Sequence, residues 1–209
     1  GYSTEAVAEE VICMNIGLYR HIVENDKITR NRQGLVMAPG REIAKKTVGI
    51  VGMGAIGQRI AQLLQVFGCR VIAWNRTVKE VEGVTFVDKE TLLKESDIIT
   101  LNVALNDETR NLVSAKELAL MKNTAIIINA ARGPVVNAKD LADALKNGTI
   151  AGAALDVYDT EPPLSHDNPL LAAPNTMLLP HIGFATEEAF ELRLGIVVRN
   201  VERYVSSAF

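Results

Sequence analysis

The sequence predicts an α/β fold, a doubly wound parallel sheet with helices on both faces. Short apolar runs, such as residues 47–51 and 70–74, alternate along the 209 residues with longer stretches of amphipathic pattern. This alternation is typical of parallel strands covered by helices. A glycine-rich turn, residues 52–57, joins the first apolar run to an amphipathic stretch at residues 58–67. Strand, glycine turn and helix in this order strengthen the prediction.

The first predicted helix covers residues 4–23 and is apolar on more than one side. Such a helix is expected to be buried by its own domain and by a partner subunit, so we expect a homodimer. The polar residues 24–40 predict a loop or arm. The apolar positions of the helix are Val7, Val11, Ile12, Met14, Ile16 and Leu18.

Strands and helices then alternate to the end of the chain. The further predicted strands lie at residues 70–74, 84–87, 97–103, 124–129, 150–155 and 176–179. Ser114 and Glu117 have the spacing of a capping box, and Asn137 is a predicted N-cap of a helix that ends at Asn147-Gly148. A long final helix is predicted after Thr186, with Phe190, Leu194, Val197, Val201 and Val205 on one face.

Composition excludes several classes of protein. The net charge of -3 offers no basic surface for a nucleic-acid backbone. No apolar run is long enough to span a membrane, and no secretory signal is visible, so we expect a cytoplasmic protein. Cys13 and Cys69 lie in apolar stretches without metal-ligand spacing, which predicts two small core residues and no metal site.

The glycine turn predicts a dinucleotide site of the Rossmann type. Gly52 permits the tight turn, Gly54 lets the backbone approach a pyrophosphate, and Gly57 lets the helix pack on the strand. Ala55 and Ile56 open the helix whose amides would face the anion. A glycine turn without any ligand is the alternative interpretation.

The end of the second strand indicates which nucleotide binds. An NAD enzyme usually has an acidic residue here, whereas this chain has Asn75, Arg76 and Thr77 and no acid before Glu80. An amide, a guanidinium and a hydroxyl suit a 2′-phosphate. The pattern favours NADP(H) over NAD(H), with a solvated Arg76 and a ribose-binding Asn75 as the alternative.

Three further strand ends carry polar residues where parallel sheets bind ligands. Arg132 follows the strand ending at Asn129, Asp156 and Glu161 follow the next, and His181 follows the last. Of the three histidines, His181 is best placed for acid–base chemistry. A structural histidine is the alternative for His181 alone, and the three residue types together favour a catalytic site.

These motifs together resemble the cofactor-binding domain of the D-isomer-specific 2-hydroxyacid dehydrogenases. The matching runs are residues 48–57, 129–136, 152–163 and 180–186, and residues 1–9 resemble the start of that family's inter-domain helix. The resemblance implies that Arg132 binds the substrate carboxylate and carbonyl, that Glu161 supports the ring of His181, and that His181 is the general acid–base. It also implies that the cofactor is lined by Val103, Ala130, Ala131, Arg132, Asp156, His181 and Gly183.

The chain also departs from the family pattern. Asn102 and Ala104 stand where the family often has His and Pro, which we expect to alter contacts on the adenosine side. The family's N-terminal part of a substrate domain is not in this sequence. We therefore expect residues 1–209 to be one cofactor domain, with residues 1–24 as inter-domain or dimer helix and 186–207 as closing helix. Alone, it should bind nucleotide with little turnover.

The resemblance implies a small 2-keto or 2-hydroxy acid as substrate, such as glyoxylate or hydroxypyruvate. The alternative from another class is a non-catalytic dinucleotide-sensing module, which would need none of Arg132, Glu161 and His181. A formate-type dehydrogenase is a third alternative, and Glu161 counts against it because that reaction needs no proton transfer.

Overall fold

The computed structural model describes residues 1–32, 39–77, 80–161 and 163–208, and its centre is one parallel sheet of seven strands. The strands are β1 (Thr47–Val51), β2 (Arg70–Trp74), β3 (Val84–Phe86), β4 (Ile98–Leu101), β5 (Ile126–Asn129), β6 (Gly152–Leu155) and β7 (Thr176–Leu178). They lie in the order β3-β2-β1-β4-β5-β6-β7. Every pairing is parallel. The predicted doubly wound sheet is confirmed.

The strand order reverses beside β1. The chain runs outward from β1 through β2 to β3, then returns to place β4 on the other side of β1. Val51 at the end of β1 is aligned with Trp74 of β2 and Leu101 of β4. Because the loops that leave β1 and β4 diverge here, the carboxyl ends of these strands form a crevice, which is where such sheets bind ligands.

Helices cover both faces of the sheet, and each face has its own apolar core. The helices are α1 (Thr4–Tyr19), α2 (Ile22–Arg30), α3 (Ala55–Val66), α4 (Lys89–Glu95), α5 (Ala115–Leu118), α6 (Ala138–Lys146) and α7 (Glu187–Ala208). One core joins α1 and α3 through residues such as Met14 and Leu64, and the other joins α4, α5 and α6 through Leu92, Leu118 and Leu141. This is the Rossmann-type arrangement.

The predicted helix starts agree with the structure in detail. Asn137 Oδ1 accepts a hydrogen bond of 3.0 Å from the amide of Asp140 at the start of α6. Thr186 Oγ1 accepts one of 3.1 Å from Ala189 at the start of α7. Glu117 Oε2 accepts hydrogen bonds from the backbone N–H and from the hydroxyl of Ser114 at the start of α5, and the first of these is the return bond of a capping box.

The start of the chain differs from the prediction. The first helix ends at Tyr19 because His21 has a φ of 51°, a left-handed conformation that breaks the helix. Where the sequence predicted a polar loop from residue 24, the structure has α2, a helix none of whose residues is buried. The rest of the predicted arm includes residues 33–38, which lie outside the described residues.

The predicted burial of both cysteines is wrong for one of them. Cys69 is buried, whereas Cys13 is exposed. Cys13 lies on α1 next to Ile12 and Met14, which are buried, so its side chain falls on the outer side of the same helix. An apolar neighbourhood in sequence does not set the direction of one side chain on a helix.

The final helix carries apolar side chains that the described residues leave uncovered. Phe190, Leu194, Val197, Val201 and Val205 are between 49% and 65% exposed. Its start is held to the opening of the chain by Arg193, whose guanidinium lies 5.6 Å from the ring centre of Tyr2. Among the described residues, no helix has the length and apolar character needed to cross a membrane.

Candidate active site

Two glycines of the turn after β1 are required by the protein itself. Gly52 has a φ of 94°, and a Cβ there would lie 2.6 Å from the carbonyl oxygen of Asn102. A Cβ on Gly57 would overlap the carbonyl oxygen of Gly52. Both positions therefore need glycine, for conformation and for close packing between α3 and β1.

Gly54 differs from these two glycines. Its φ is −76°, which any residue can adopt, and a Cβ there would meet nothing within 4 Å. Neither the fold nor the packing requires glycine at this position. Open space above a bare backbone suits close approach by a phosphate group, so the turn fits a dinucleotide.

The N-terminus of α3 faces the same open space. Gly54 is its N-cap, and no side chain among the described residues caps it. The first turn, from Ala55, holds no acidic residue. The unpaired amides and the helix dipole therefore favour a bound anion.

At the end of β2, two of the residues predicted to bind the nucleotide, Asn75 and Arg76, differ in their contacts. Asn75 Oδ1 accepts a hydrogen bond of 3.0 Å from the amide of Met53, and Asn75 Nδ2 donates one of 2.6 Å to the carbonyl of Thr77. Asn75 therefore fastens the glycine turn to the loop after β2, a role the sequence did not reveal. Arg76 lies on the surface with an 80% exposed side chain, 3.1 Å from Glu108 Oε2.

Arg132 projects from a loop shaped by Asn129. The buried side chain of Asn129 accepts a hydrogen bond of 3.1 Å from the amide of Ala131 and donates one of 3.0 Å to the carbonyl of Arg132. These bonds turn the chain sharply after β5 and leave the Arg132 side chain exposed. The guanidinium donates a hydrogen bond of 2.6 Å to the carbonyl of Ala131, and its exposure leaves its other N–H groups accessible to a ligand at the carboxyl end of the sheet.

The loops after β5 and β6 touch at Gly133. A Cβ there would overlap the backbone of Tyr158, so only glycine allows this approach. The hydroxyl of Tyr158 donates to the carbonyls of Leu155 and Leu179, at 3.2 and 2.8 Å. Burial, with Asp156 nearby, raises the pKa of Tyr158 to about 12, so its proton stays available for this hydrogen bonding. These contacts join the loops that carry Arg132, Glu161 and His181.

His181 and Glu161 meet as the resemblance implied. The distance from His181 Nδ1 to Glu161 Oε2 is 2.9 Å, and the two side chains are 34% and 50% exposed. The carboxylate orients the ring through Nδ1, and His181 itself lines a cavity. Phe184 packs edge-on against the ring at a centroid distance of 5.7 Å, a contact that the sequence did not predict.

Asp156 holds the loop that presents His181 through hydrogen bonds to its backbone. His181 has a φ of 59°, which is strained for a residue with a side chain. The two amides that follow it, from Ile182 and Gly183, donate to the two carboxylate oxygens of Asp156, each at 2.8 Å. The buried carboxylate is thereby satisfied, and the strained backbone is kept in place.

A cavity of about 510 Å³ brings half of the predicted site residues together. Arg132, Asp156 and His181 line it. Gly52, Gly54 and the loop after β2 do not line it and lie along the neighbouring strand ends, while Glu161 is behind His181. Its other predicted lining residues are Ile56, Val103, Ala130, Ala131 and Gly183.

The same cavity locates the two positions that depart from the family pattern. Asn102 and Ala104 line it beside Arg132 and His181, so both positions lie next to the predicted catalytic residues. A second cavity, of about 370 Å³, lies at the amino-terminal ends of β6 and β7, beside Gly152 and Thr176. None of the predicted site residues lines it.

The fold, the glycine turn and the strand-end residues together define a dinucleotide-binding domain of the Rossmann type. The chain belongs to the family of the D-isomer specific 2-hydroxyacid dehydrogenases, because the sequence profile of that family's NAD binding domain matches residues 12–183.

Similar proteins agree with this membership. The chain is 42% identical over 213 residues to the glyoxylate reductase of Thermococcus litoralis, covering 96% of this chain and 64% of that protein. It superposes with a TM-score of 0.91 on an acyclic imino acid reductase in complex with NADPH and D-Arg, at 33% identity over 99% of this chain and 66% of the other. The NAD-complexed form of a D-isomer specific 2-hydroxyacid dehydrogenase from Lactobacillus delbrueckii ssp. bulgaricus gives 0.89, at 30% identity over 99% and 68%.

These relatives are longer than the chain. The chain spans about 64% of the length of the Thermococcus glyoxylate reductase. The family membership therefore identifies an NAD(P)-binding domain within a family of oxidoreductases that act on CH–OH groups.

Proposed function

We propose that this chain is the cofactor-binding part of a D-2-hydroxyacid dehydrogenase that works as a reductase of small 2-keto acids of the glyoxylate or hydroxypyruvate type. The observation that carries the proposal is the approach of His181 and Glu161 to 2.9 Å on the wall of a cavity that Arg132 also lines. An acid–base group, a carboxylate that orients it and an exposed cation are the groups that this reaction needs.

Each residue has a defined task in the proposed reaction. Arg132 binds the carboxylate of the keto acid and polarises its carbonyl. His181 gives a proton from Nε2 to the carbonyl oxygen as negative charge develops there, and takes it back in the oxidative direction. Glu161 fixes the orientation of the ring through its contact with Nδ1. The nicotinamide, when bound, supplies or accepts the hydride.

The residues that would hold the cofactor extend along the carboxyl ends of β1, β2, β4 and β6. Gly54 and the amides of α3 would receive the pyrophosphate. Asp156 and the lining of the cavity would adjoin the nicotinamide end. Asn75, Arg76 and Thr77 would adjoin the adenosine ribose.

We propose that NADP(H) is preferred, with NAD(H) as a weaker ligand. The support is the guanidinium of Arg76 at the end of β2, where an NAD enzyme usually has a carboxylate. Arg76 is exposed and its present partner, Glu108, is 72% exposed. An ion pair of this kind is weak, so a 2′-phosphate can replace Glu108 as the partner of Arg76.

We also propose that residues 1–24 and 186–207 adjoin a second domain, which would close the cavity over the substrate. The uncovered apolar face of α7 and the greater length of the relatives support this proposal. A cavity with one open wall admits water, so the chain alone should turn over slowly.

We further propose a homodimer that forms through α1. The structure supports it less than the sequence did, because most apolar residues of the helix are used inside the chain. Val7, Val11, Ile12 and Met14 are already buried within the chain. The outer side of α1, with exposed Cys13, is what remains for a partner. Sedimentation velocity should show a dimer, and a strict monomer at high concentration would contradict the proposal.

The proposed activity is tested with the chain joined to the segment that completes the length of its relatives. NADPH oxidation is followed with glyoxylate, hydroxypyruvate and pyruvate. We expect His181→Ala to lower kcat by about 100-fold or more, the usual share of a general acid, while NADPH binding persists. His166→Ala is the matched control and should keep full activity. Unchanged turnover by His181→Ala would instead support a non-catalytic, dinucleotide-sensing module.

A further inference from the structure

Glu10 of α1 places a second carboxyl group, besides that of Asp156, against the loop that presents His181. Its Oε2 is buried, and no N–H or O–H group of the described residues donates a hydrogen bond to that atom. A methyl group added to Gly183 would overlap Glu10 Oε2 and lie 3.1 Å from Asp156 Oδ2. Glu10 and Asp156 therefore meet at Gly183, directly below the backbone that follows His181.

Two carboxyl groups in this position cannot both be ionised at low cost. Asp156 accepts two backbone N–H bonds, which favour its charged form. The proton therefore belongs to Glu10, and it provides the donor that the pair otherwise lacks. Burial, and next the charge and hydrogen bonding of Asp156, raise the pKa of Glu10 to about 8.

We propose that Glu10 is a positioning residue that shares one proton with Asp156 and thereby anchors the loop presenting His181. A neutral Glu10 donates a hydrogen bond to Asp156, which in turn holds the amides of Ile182 and Gly183. The left-handed backbone of His181 depends on those two bonds. The shared proton thus connects α1 to the position of the acid–base group.

The other charged groups around Glu10 do not replace this proton. Arg59 of α3, the helix packed on α1, lies 2.7 Å from Glu5 and is paired there. On the far side of Gly183, His181 is paired with Glu161, and Arg132 lines the same cavity. Glu9, the neighbour of Glu10 on α1, is exposed.

The shared proton has a consequence for cofactor binding, which rests on the proposed function. The nicotinamide ring is positively charged only when oxidised. Next to the oxidised ring, the doubly ionised form of the Glu10–Asp156 pair is stabilised relative to the form that keeps one proton. We therefore expect NADP⁺ to bind about fivefold more tightly relative to NADPH at pH 9 than at pH 6.5.

The shared proton itself is tested without cofactor, by thermal unfolding of the chain between pH 5.5 and 8.5. Unfolded Glu10 loses its proton near its ordinary pKa of 4.5, whereas folded Glu10 keeps it to about 8. The wild type must therefore lose stability as pH rises through this window, because its folded form binds the extra proton. Glu10→Gln has no such proton, so its Tm should gain about 3 °C or more on the wild type across the series. Glu9→Gln is the matched control and should parallel the wild type.

The second measurement is calorimetric titration of wild type and Glu10→Gln with NADP⁺ and NADPH at pH 6.5 and 9. The wild type should show the shift in relative affinity, and Glu10→Gln should show none. A constant Tm difference across pH, with equal pH dependence of binding in both proteins, would overturn the shared proton and leave the proposed function intact. Failure of every variant to bind either cofactor would overturn the proposed function, and the unfolding series would still decide the role of Glu10.

Discussion

Replacing Arg76 by Ala should weaken binding of NADPH and leave binding of NADH unchanged. In the structure the guanidinium lies 3.1 Å from Glu108 Oε2, with the two side chains 80% and 72% exposed. An ion pair with this exposure contributes about 0–1 kcal/mol. Its loss alone should therefore leave the stability of the chain almost unchanged.

The magnitude follows from the contact that would replace this pair. A hydrogen bond to a charged group contributes about 1.5–3 kcal/mol. Because Arg76 must leave Glu108 to make it, we take the lower end, about 1.5 kcal/mol, which corresponds to roughly a tenfold change in Kd. Removal of the competing carboxylate by Glu108→Gln should act in the other direction and tighten NADPH binding by about threefold.

The assay uses Trp74, the last residue of β2 and the only tryptophan of the chain. Its fluorescence is followed during parallel titrations with NADPH and NADH, with correction for absorption by the cofactor. Arg70→Ala is the control, because Arg70 makes an equivalent surface ion pair with Glu95 at 3.0 Å but lies at the opposite end of β2. Equal weakening of both cofactors by Arg76→Ala, or no change for NADPH, would refute the reasoning.

Four further changes test the packing and the chemistry. Leu64→Ala removes a fully buried side chain of α3 and should lower the free energy of unfolding by about 2–5 kcal/mol in chemical denaturation. Val66→Ala, at an 86% exposed position of the same helix, is the control and should lower it by less than about 0.5 kcal/mol. Gly133→Ala forces a methyl group into the backbone of Tyr158 and should lower stability by about 1–3 kcal/mol, measured in the same way. Tyr158→Phe loses the two hydrogen bonds that join the strand ends and should cost about 1–2 kcal/mol. Glu161→Gln should lower kcat of the complete enzyme by about 10- to 100-fold in steady-state assays, because the ring loses its charged partner; an unchanged kcat would remove Glu161 from the mechanism.

The sheet could be predicted from the sequence because each strand is a local run of apolar residues. The strand at residues 70–74 agrees with β2 at both ends, and the short run at 84–87 is the edge strand β3. The strand at residues 47–51 also agrees with β1 at both ends, and the remaining predicted strands were one or two residues too long at an end. The caps at Asn137 and Thr186 were predictable for the same reason, because a cap is set by neighbouring residues.

The break after α1 was not predictable in this way. Tyr19 and Ile22 continue the apolar pattern, and the helix stops because the backbone turns left-handed at His21. The helix that follows buries no side chain, so periodicity gives no sign of it. Its visible support is local, an ion pair of 2.8 Å between Asp26 and Arg30 one turn apart.

In the candidate site, the residues at strand ends were predictable and their supports were not. Arg132 and His181 each follow an apolar strand, which is a pattern in sequence. The contact between Glu10 and Asp156 joins residues far apart in the chain, and nothing around Glu10 in sequence marks it. The bond from the Met53 amide to Asn75, which holds the glycine turn, was likewise not predicted. Such roles depend on which loops the sheet brings together.

The central claim is that the turn at Gly54 receives the pyrophosphate of a dinucleotide, and calorimetric titration of the chain with NADPH tests it most directly. Gly54→Val is the decisive variant, because a Cβ there meets no protein atom within 4 Å apart from its chain neighbours and the φ of −76° suits any residue. The account predicts saturable binding by the wild type and a loss of at least about tenfold in affinity in Gly54→Val, with Tm unchanged. Equal binding of NADPH by both proteins, or no binding by the folded wild type, would contradict it.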